Sequence, residues 1–385
     1  MASQDIKQFR PYIDIREIER LHAKIKDVQV PTQDVVPDSG NDYGIPTAWA
    51  TKLHDYWLDK FSWSAAEGRI NQFEHFKTDL EGINLHFVHQ RSQDKSAIPL
   101  LLIHGWPGSF YEFSEVIKPL TENGGAGRGS NFHCVVPSLP GFCWSDPPLR
   151  KGWTVKDTAR IFDALMQRLG YDKYCVQAGD WGAMVAREIG AQYEKRCKVM
   201  HLNWCPGALP EGVEPTEREA RCAAKGQNWR TEHVGYAVMM RTRPQSIGWM
   251  LEDNPIGLMT FVGEKYEEAS NPNVHDTQHW MDHILTTVSL YFHTRCIATS
   301  SLLYYENPRH DHFATYCVQP ENLIKCPFGY TSMGYDTSPN SKRAVERTGN
   351  LVWYKERDDA GHFACLEAPQ PLVEDIREVV AKFWN

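Results

Sequence analysis

Residues 174–182, YCVQAGDWG, begin as a short buried strand and run directly into a tight turn. A helical pattern starts at Ala183, so Asp180 stands at the tip of a strand-to-helix turn, with glycines before and after it. Small residues suit such a turn because its backbone is strained and crowded. A carboxylate at the tip can act as a nucleophile, or it can cap the helix that follows, since Asp is a favoured N-cap residue.

The turn resembles the nucleophile elbow of the α/β-hydrolase fold, whose usual pattern is G-x-S-x-G. Here Asp180 occupies the nucleophile position, and the second glycine is one residue closer. A serine forms an acyl ester with a carbonyl substrate, whereas a carboxylate attacks a saturated carbon and leaves an alkyl ester for water to cleave. Epoxides and alkyl halides are electrophiles of this kind.

The sequence around the turn predicts strands that alternate with helices. The continuous apolar run from Ile98 to Ile103 is typical of a central parallel strand. Further strands are predicted at 132–137, 199–204, 323–330 and 351–355, and helices at 155–169 and 372–383. This alternation predicts an α/β fold with a mostly parallel, doubly wound sheet.

Changes in sequence pattern divide the chain into four segments. Residues 1–95 carry two amphipathic helical patterns and a predicted hairpin around Glu81-Gly82, and we expect them to pack on the core and cap. Between 206 and 320 the strand signals fade and Met, Trp and Tyr become frequent, which predicts an inserted helical cap. Residues 96–205 and 321–385 then form the two parts of the α/β core.

The composition argues against several classes of partner. A net charge of −8 without a polybasic run argues against nucleic acid and anionic lipid. The 10 cysteines include no C-x-x-C pair, which argues against a zinc site and a disulfide framework. The stretch GGAGRG, residues 124–129, precedes a strand instead of joining a strand to a helix, so it is interpreted as a mobile surface loop and not as a dinucleotide site. We therefore expect no cofactor and no metal.

The first residues, MASQDIKQFRPY, lack the apolar segment of a signal peptide, and the longest apolar runs are too short to span a membrane. These features predict a soluble, cytoplasmic protein without a membrane anchor. The sequence leaves open whether the chain forms a homodimer.

An alkyl ester on Asp180 requires a base that activates water, and in this fold the base comes late in the chain. His362 fits this position, because it follows the predicted strand at 351–355 and precedes the final helix. The acid that orients the base should follow the preceding strand, which favours Asp336. Asp358 and Asp359 are rivals that lie closer to the histidine in sequence, although solvated turn carboxylates are the commoner fate of such a pair.

The motif HGWP begins at His104 and supplies the other half of the expected site. Its turn is expected to direct the backbone N–H of Trp106, together with that of Trp181, at the oxyanion that forms when water attacks the ester. We expect His104 to brace this turn, along with Gly105 and Pro107, and not to act as a second base. An epoxide also needs an acid for its developing alkoxide, and a cap tyrosine can serve, but composition alone does not choose one.

Together these motifs resemble those of the α/β-hydrolase-fold epoxide hydrolases, in the branch that includes the microsomal and fungal enzymes. The resemblance covers nearly the whole chain, and its most specific motifs are YGIP, FSWSAAEGRINQFEHFKT, INLHFVH, HGWPGSFYEF, GDWG and GHFACLEAP. It implies that Asp180 is the nucleophile, His362 the base and Asp336 the acid. It also implies that Tyr236, in GYAVMM, and Tyr304, in LLYYENP, protonate the epoxide oxygen; a shift of one residue would exchange Tyr304 for Tyr305.

Three features depart from the family pattern. Ala178 replaces the first glycine before the nucleophile, and Cys143 replaces the last glycine of a PGFG-like motif. The membrane anchor of the microsomal members is missing from the N-terminal sequence, which makes the soluble fungal-type enzymes the nearest kin.

The sequence therefore predicts an enzyme that hydrolyses a small apolar epoxide with water to a vicinal diol, in detoxification or in secondary metabolism. Three alternatives stay open. A haloalkane-type dehalogenase shares the Asp, the His and the acid, and a biosynthetic cyclase would open the epoxide with a substrate hydroxyl. A catalytically dead hydrolase scaffold would bind an apolar ligand without turnover.

Overall fold

The computed structural model describes residues 5–122 and 129–384, so positions 124–128 of the predicted surface loop lie outside the described residues. Within those ranges, nine strands form a single sheet in the order β1-β2-β3-β5-β4-β6-β7-β8-β9. The strands are β1 (Lys7–Phe9), β2 (His75–Leu80), β3 (Ile83–Gln90), β4 (Ile98–Ile103), β5 (Phe132–Pro137), β6 (Tyr174–Ala178), β7 (Cys197–Leu202), β8 (Ile324–Met333) and β9 (Gly349–Arg357).

The six strands from β5 to β9 along the sheet are parallel, which confirms the predicted α/β fold with a mostly parallel sheet. Strands β1, β2 and β3 extend the sheet at one edge and pair antiparallel, and β3 pairs antiparallel with β5. The hairpin between β2 and β3 turns at Glu81 and Gly82, both of which have positive φ. That conformation matches the twist of the flanking strands.

Helices cover both faces of the sheet and form a separate layer above its C-terminal edge. The helices are α1 (Ile15–Asp27), α2 (Thr47–Asp59), α3 (Trp63–Ile70), α4 (Ser114–Glu122), α5 (Val155–Arg168), α6 (Asp180–Gln192), α7 (Glu217–Glu232), α8 (Gly235–Met240), α9 (Pro244–Leu251), α10 (Pro255–Glu268), α11 (Gln278–Thr294), α12 (Ile297–Ser300), α13 (Leu302–Glu306), α14 (Phe313–Cys317), α15 (Lys342–Val345), α16 (Ala364–Glu367) and α17 (Pro369–Phe383). Helices α7 to α14 all lie between β7 and β8 in sequence.

The core has two parts because successive side chains of a strand point to opposite faces of the sheet. Leu101 and Ile103 of β4 pack in the cluster that contains the buried faces of α5 and α6. Leu100 and Leu102 pack in the cluster that contains those of α4 and α17. This burial on both faces explains why β4 is apolar at every position that faces a helix layer.

The N-terminal helices contact the helices that lie between β7 and β8. Lys24 of α1 pairs with Asp253 at 2.8 Å, and the hydroxyl of Tyr56 in α2 donates to Asp282 of α11 at 2.9 Å. In the part of the chain that the structure describes, no helix combines the length and the apolar character needed to cross a membrane.

Helices α3, α4, α15 and α16 were not predicted from the sequence, and α6 begins earlier than predicted. Helix α3 has only eight residues, and α4 contains Pro119, which normally disfavours a helix interior. Helix α6 begins at Asp180 and not at Ala183, because Gly179 takes the N-cap position and the turn passes directly into the helix.

Candidate active site

Asp180 lies at the C-terminal edge of the sheet, between β6 and α6. Its φ is 48°, in the left-handed region that costs a non-glycine residue roughly 1–3 kcal/mol. Gly182 permits the tight packing of this turn, because a Cβ there would lie 2.1 Å from the carbonyl oxygen of Ile103. The backbone therefore keeps a strained Asp where its side chain points away from the helix.

The carboxylate of Asp180 is held by backbone N–H groups. The N–H of Trp106 donates to Oδ1 at 2.8 Å, and the N–H of Trp181 donates to the same carboxylate. Gly105 lies against this group, since a Cβ there would sit 2.2 Å from Oδ1. Gly179, and not Asp180, takes the N-cap position of α6, so Asp180 is not the capping residue of this helix.

His362 follows β9 and brings its ring between two carboxylates. Its Nδ1 donates to Oδ1 of Asp336 at 2.7 Å, and its Nε2 lies 3.4 Å from Oδ2 of Asp180. Asp336 is fully buried after β8, and its Oδ1 also accepts the N–H of Thr337 at 2.6 Å. The two oxygens of Asp180 thus have different neighbours, the N–H of Trp106 at Oδ1 and the imidazole of His362 at Oδ2.

The rival carboxylates lie elsewhere. Asp358 is 75% exposed at its side chain and pairs with Arg218 at 3.0 Å, and Asp359 is also exposed. The structure therefore brings Asp336, and neither of these residues, to His362.

Charges within this group shift the pKa values in opposite directions. Burial alone would raise the pKa of Asp180, but the hydrogen bonds from His362, Trp181 and Trp106 hold it below its ordinary value. Burial alone would lower the pKa of His362, but the carboxylates of Asp336 and Asp180 raise it well above its ordinary value. The unreacted site therefore favours an ion pair between a carboxylate and an imidazolium.

Two phenols from the cap helices face this ion pair. The ring of Tyr236 stacks on that of Trp106, with centroids 5.1 Å apart and 10° between the planes. Tyr304 is 3% exposed, and its ring meets those of Trp181 and Tyr236 edge-on at 5.0 Å and 5.7 Å. Tyr305 is 52% exposed and lies outside this cluster, so the structure distinguishes the two adjacent tyrosines.

Both phenols are protonated over the physiological pH range. Burial and the charge of Asp180 raise the pKa of Tyr236. Burial, followed by the proximity of Tyr236 and Asp180, raises the pKa of Tyr304 further. Each hydroxyl is therefore available as a hydrogen-bond donor.

His104 braces the turn that carries Trp106. Its Nδ1 donates to the carbonyl of Gly105 at 2.9 Å, and its Nε2 accepts the N–H of Leu139 at 3.1 Å. Burial lowers the pKa of His104 to about 4, so its ring is neutral at physiological pH. Pro107 follows a cis peptide bond at the end of the same turn.

These groups open onto a cavity between the sheet and the cap. Asp180, His362 and Tyr236 line the cavity, whereas Asp336 and Tyr304 lie behind the residues that line it. The remaining wall combines aromatic and small residues with several polar ones: Trp106, Pro107, Trp204, Pro206, Gly207, Gly226, Trp229, Arg230, Lys265, Ala269, His310, Phe313, Ala314, Thr337, Ser338, Asn340 and Phe363.

Sequence reasoning missed two titratable residues of this wall, His310 and Lys265. Burial lowers the pKa of His310 to about 4, and its ring lies 5.6 Å from that of Tyr304. Lys265 is 4% exposed and occupies the apolar face of α10, in helical register with Leu258 and Val262. In the sequence, Lys265 interrupts an apolar helical stripe. That pattern could have identified it, because a lysine is almost never fully buried unless it is paired.

The chain is similar to known proteins in sequence and in fold. A family model for the epoxide hydrolase N terminus matches residues 6–113, and a model for the alpha/beta hydrolase fold matches residues 98–205. The structure of Aspergillus niger epoxide hydrolase is similar, with a TM-score of 0.88 and 32% identity over 99% of this chain and 97% of that chain.

Two insect proteins are similar over most of their length. The structure of juvenile hormone epoxide hydrolase from Bombyx mori has a TM-score of 0.87 and 27% identity, and the match covers 99% of this chain and 95% of that chain. Juvenile hormone epoxide hydrolase 1 of Ctenocephalides felis is 30% identical over 407 residues, which cover 98% of this chain and 86% of that protein.

Proposed function

The chain belongs to the epoxide hydrolases of the α/β-hydrolase fold, and on this basis we propose that it forms a vicinal diol through a covalent ester on Asp180. In the first step Oδ2 of Asp180 attacks a ring carbon of the epoxide. The carbon–oxygen bond of the ring breaks, and Tyr236 and Tyr304 protonate the oxygen that leaves. In the second step water activated by His362 cleaves the ester.

The environment of Asp180 supports Oδ2 as the attacking atom. Oδ1 accepts the N–H of Trp106 at 2.8 Å, whereas Oδ2 lies 3.4 Å from Nε2 of His362. The phenols of Tyr236 and Tyr304 interact electrostatically with the same carboxylate. An epoxide in the cavity would thus have a nucleophile on one side and acids on the other.

The same contacts support the second step. Forming the ester removes the negative charge of Asp180, which is one of the charges that raise the pKa of His362. The ring can then give its proton to the phenolate left by the first step and accept one from water, while Asp336 keeps it oriented through Nδ1. Oδ1 becomes the ester carbonyl oxygen, and the N–H groups of Trp106 and Trp181 stabilise the oxyanion that forms on it, an effect typically worth 10²- to 10³-fold in rate.

We further propose that the substrate is a small, mostly apolar epoxide. The aromatic side chains of Trp106, Trp204, Trp229 and Phe313 dominate the cavity wall and suit an apolar body. Besides the substrate, the reaction as proposed uses only protein groups and water. Detoxification and secondary metabolism are both compatible with such a pocket.

The single observation that carries this proposal is the placement of Oδ2 of Asp180 beside the Nε2 of His362, with Oδ1 bound by the N–H of Trp106. In a single turnover in ¹⁸O-water with enzyme in excess, we expect the label in the peptide that contains Asp180 and not in the diol. This follows because Oδ2 leaves with the product and the oxygen of water replaces it. Label in the diol from the first turnover would instead mean direct attack of water on the epoxide.

Family membership favours epoxide hydrolysis over the dehalogenase, cyclase and dead-scaffold alternatives. The two phenols are an additional argument, because a leaving halide needs hydrogen-bond donors but no proton. Release of halide from alkyl halides at rates comparable with diol formation from epoxides would reopen the dehalogenase alternative.

A further inference from the structure

Lys265 is a buried cation that lies over the ring of Tyr236. Its Nζ is 4.7 Å from the centroid of that ring and 5.4 Å from the centroid of Trp229. The ring of Tyr236 also stacks on the indole of Trp106, and the two ring centroids are 5.1 Å apart. The acid proposed for ring opening is therefore in contact with an ammonium group that none of the steps above uses.

The ammonium is fixed by two carboxylates of its own helix. Nζ of Lys265 lies 2.8 Å from Oε2 of Glu264 and 2.6 Å from Oε2 of Glu268. Oε1 of Glu268 also accepts a hydrogen bond from Nδ1 of His233 at 2.8 Å. Burying a lysine is costly unless it is paired, so this arrangement holds a cation at a defined point beside the cavity. The side chain is only 4% exposed.

The charge that develops on Tyr236 explains how such a cation could matter. As the phenol gives its proton to the epoxide oxygen, negative charge appears on the ring and oxygen of Tyr236. A cation near the ring is attracted more strongly to a phenolate than to a neutral phenol, so the contact strengthens toward the transition state. The charged or titratable groups that face Tyr236 or pair with Lys265 in the described structure are Asp180, Glu264, Lys265, Glu268, Tyr304 and His310.

Among these groups, Asp180 and Glu268 oppose negative charge on the phenol. Burial keeps His310 neutral, since it lowers the pKa of its ring to about 4. Lys265 therefore supplies the positive charge that offsets the negative charges of these carboxylates.

We propose that Lys265 is a positioning residue for ring opening, which holds the ring of Tyr236 and offsets Glu268 and Asp180 while Tyr236 transfers its proton. This inference rests on the proposed function. The proton moves from the Tyr236 hydroxyl to the epoxide oxygen as the ring carbon–oxygen bond breaks and the bond to Oδ2 of Asp180 forms. The phenolate regains a proton from the water molecule that later cleaves the ester, through His362.

The test separates the two chemical steps by stopped-flow tryptophan fluorescence and rapid quench, with styrene oxide as the probe substrate. Lys265→Met should slow alkylation of Asp180 about tenfold and leave hydrolysis of the ester within about twofold. Lys265→Arg, which keeps the charge, should restore most of the alkylation rate. Lys265→Gln provides a second neutral variant if Lys265→Met does not fold.

A double-mutant cycle tests whether Lys265 acts through Tyr236. In a Tyr236→Phe background, the neutral Lys265 variants should cause no further loss of alkylation. The matched control is Lys355→Met, because Lys355 also lies over an aromatic ring, Trp353 at 5.4 Å, and pairs with Asp375 at 2.7 Å, far from the cavity.

Three results would overturn the inference: an unchanged alkylation rate in the neutral variants, an equal loss in the Tyr236→Phe background, or equal losses in both steps. Failure of the proposed function looks different. In that case the wild-type protein itself would form no ester on Asp180.

Discussion

Oδ2 of Asp180 lies 3.4 Å from Nε2 of His362, close enough for an ion pair. This pair couples the two proposed steps through charge. While Asp180 is ionised, its carboxylate favours the imidazolium; once the carboxylate is esterified, that contribution is lost. Esterification of Asp180 therefore lowers the pKa of His362, and the neutral ring can then act as a base.

Replacing Asp180 with Ala should lower kcat/KM by on the order of 10⁴-fold, because no other carboxylate occupies the tip of the elbow. The matched control is Asp358→Ala, which removes an exposed acid close to His362 in sequence. We expect the control to keep near wild-type activity in a diol-formation assay. An active Asp180→Ala enzyme would contradict the nucleophile assignment.

Replacing His362 with Gln should trap the ester. Alkylation depends on Asp180 and the phenols, whereas hydrolysis depends on the base, so the covalent intermediate should accumulate. Intact-protein and peptide mass spectrometry should find the peptide containing Asp180 heavier by the mass of the epoxide. Steady-state turnover should fall roughly 10²- to 10⁴-fold, as is usual for loss of a general base. An unmodified peptide after full incubation would count against the covalent mechanism.

Replacing Asp336 with Asn should move the pH dependence of ester hydrolysis to lower pH. The carboxylate of Asp336 raises the pKa of His362, so its removal lowers that pKa and the neutral ring persists to lower pH. The maximal rate should also fall, because Nδ1 loses its charged acceptor at 2.7 Å. The measurement is the hydrolysis rate of preformed ester from pH 5 to 9; a shift of the acidic limb to higher pH would be the wrong sign.

Tyr304 and Tyr305 provide a matched pair of substitutions to Phe. Tyr304 is 3% exposed in the aromatic cluster around Asp180, whereas Tyr305 is 52% exposed. Tyr304→Phe should slow alkylation roughly 10- to 100-fold, and the double variant with Tyr236→Phe should approach the 10²- to 10⁴-fold range of lost acid catalysis. Tyr305→Phe should alkylate at the wild-type rate, and the opposite pattern would reassign the acid.

Gly182→Ala should destabilise the fold, because the new Cβ would lie 2.1 Å from the carbonyl oxygen of Ile103. Overpacking of this kind typically costs about 1–3 kcal/mol, measured as the change in the free energy of unfolding by urea. Gly68→Ala is the control, since Gly68 lies in α3 with no atom within 4 Å of an added Cβ. That change should be neutral or stabilise by up to about 1 kcal/mol.

The sequence alone was sufficient to predict the strand-to-helix turn at Asp180, the parallel strands and the position of His362 after the last strand. These features depend on local signals, such as an apolar run of strand length followed by small residues, and on the order in which an α/β chain places its loops. It missed α3 and α4, because a helix of eight residues and a helix that contains Pro119 gain their stability from packing and not from local preference.

The sequence favoured Asp336 and the family resemblance implied Tyr304, but only the tertiary structure shows which of these chemically equivalent residues lie at the site. Asp336 and Asp358 are both carboxylates near the end of a strand, and Tyr304 and Tyr305 are adjacent phenols, so nothing in their identities distinguishes one from the other. Which carboxylate reaches Nδ1 of His362, and which phenol faces Asp180, depends on the rotation of each element about its own axis. Contacts between residues distant in sequence set that rotation, and for the same reason the lysine beneath Tyr236 became evident only once α8 and α10 were packed together.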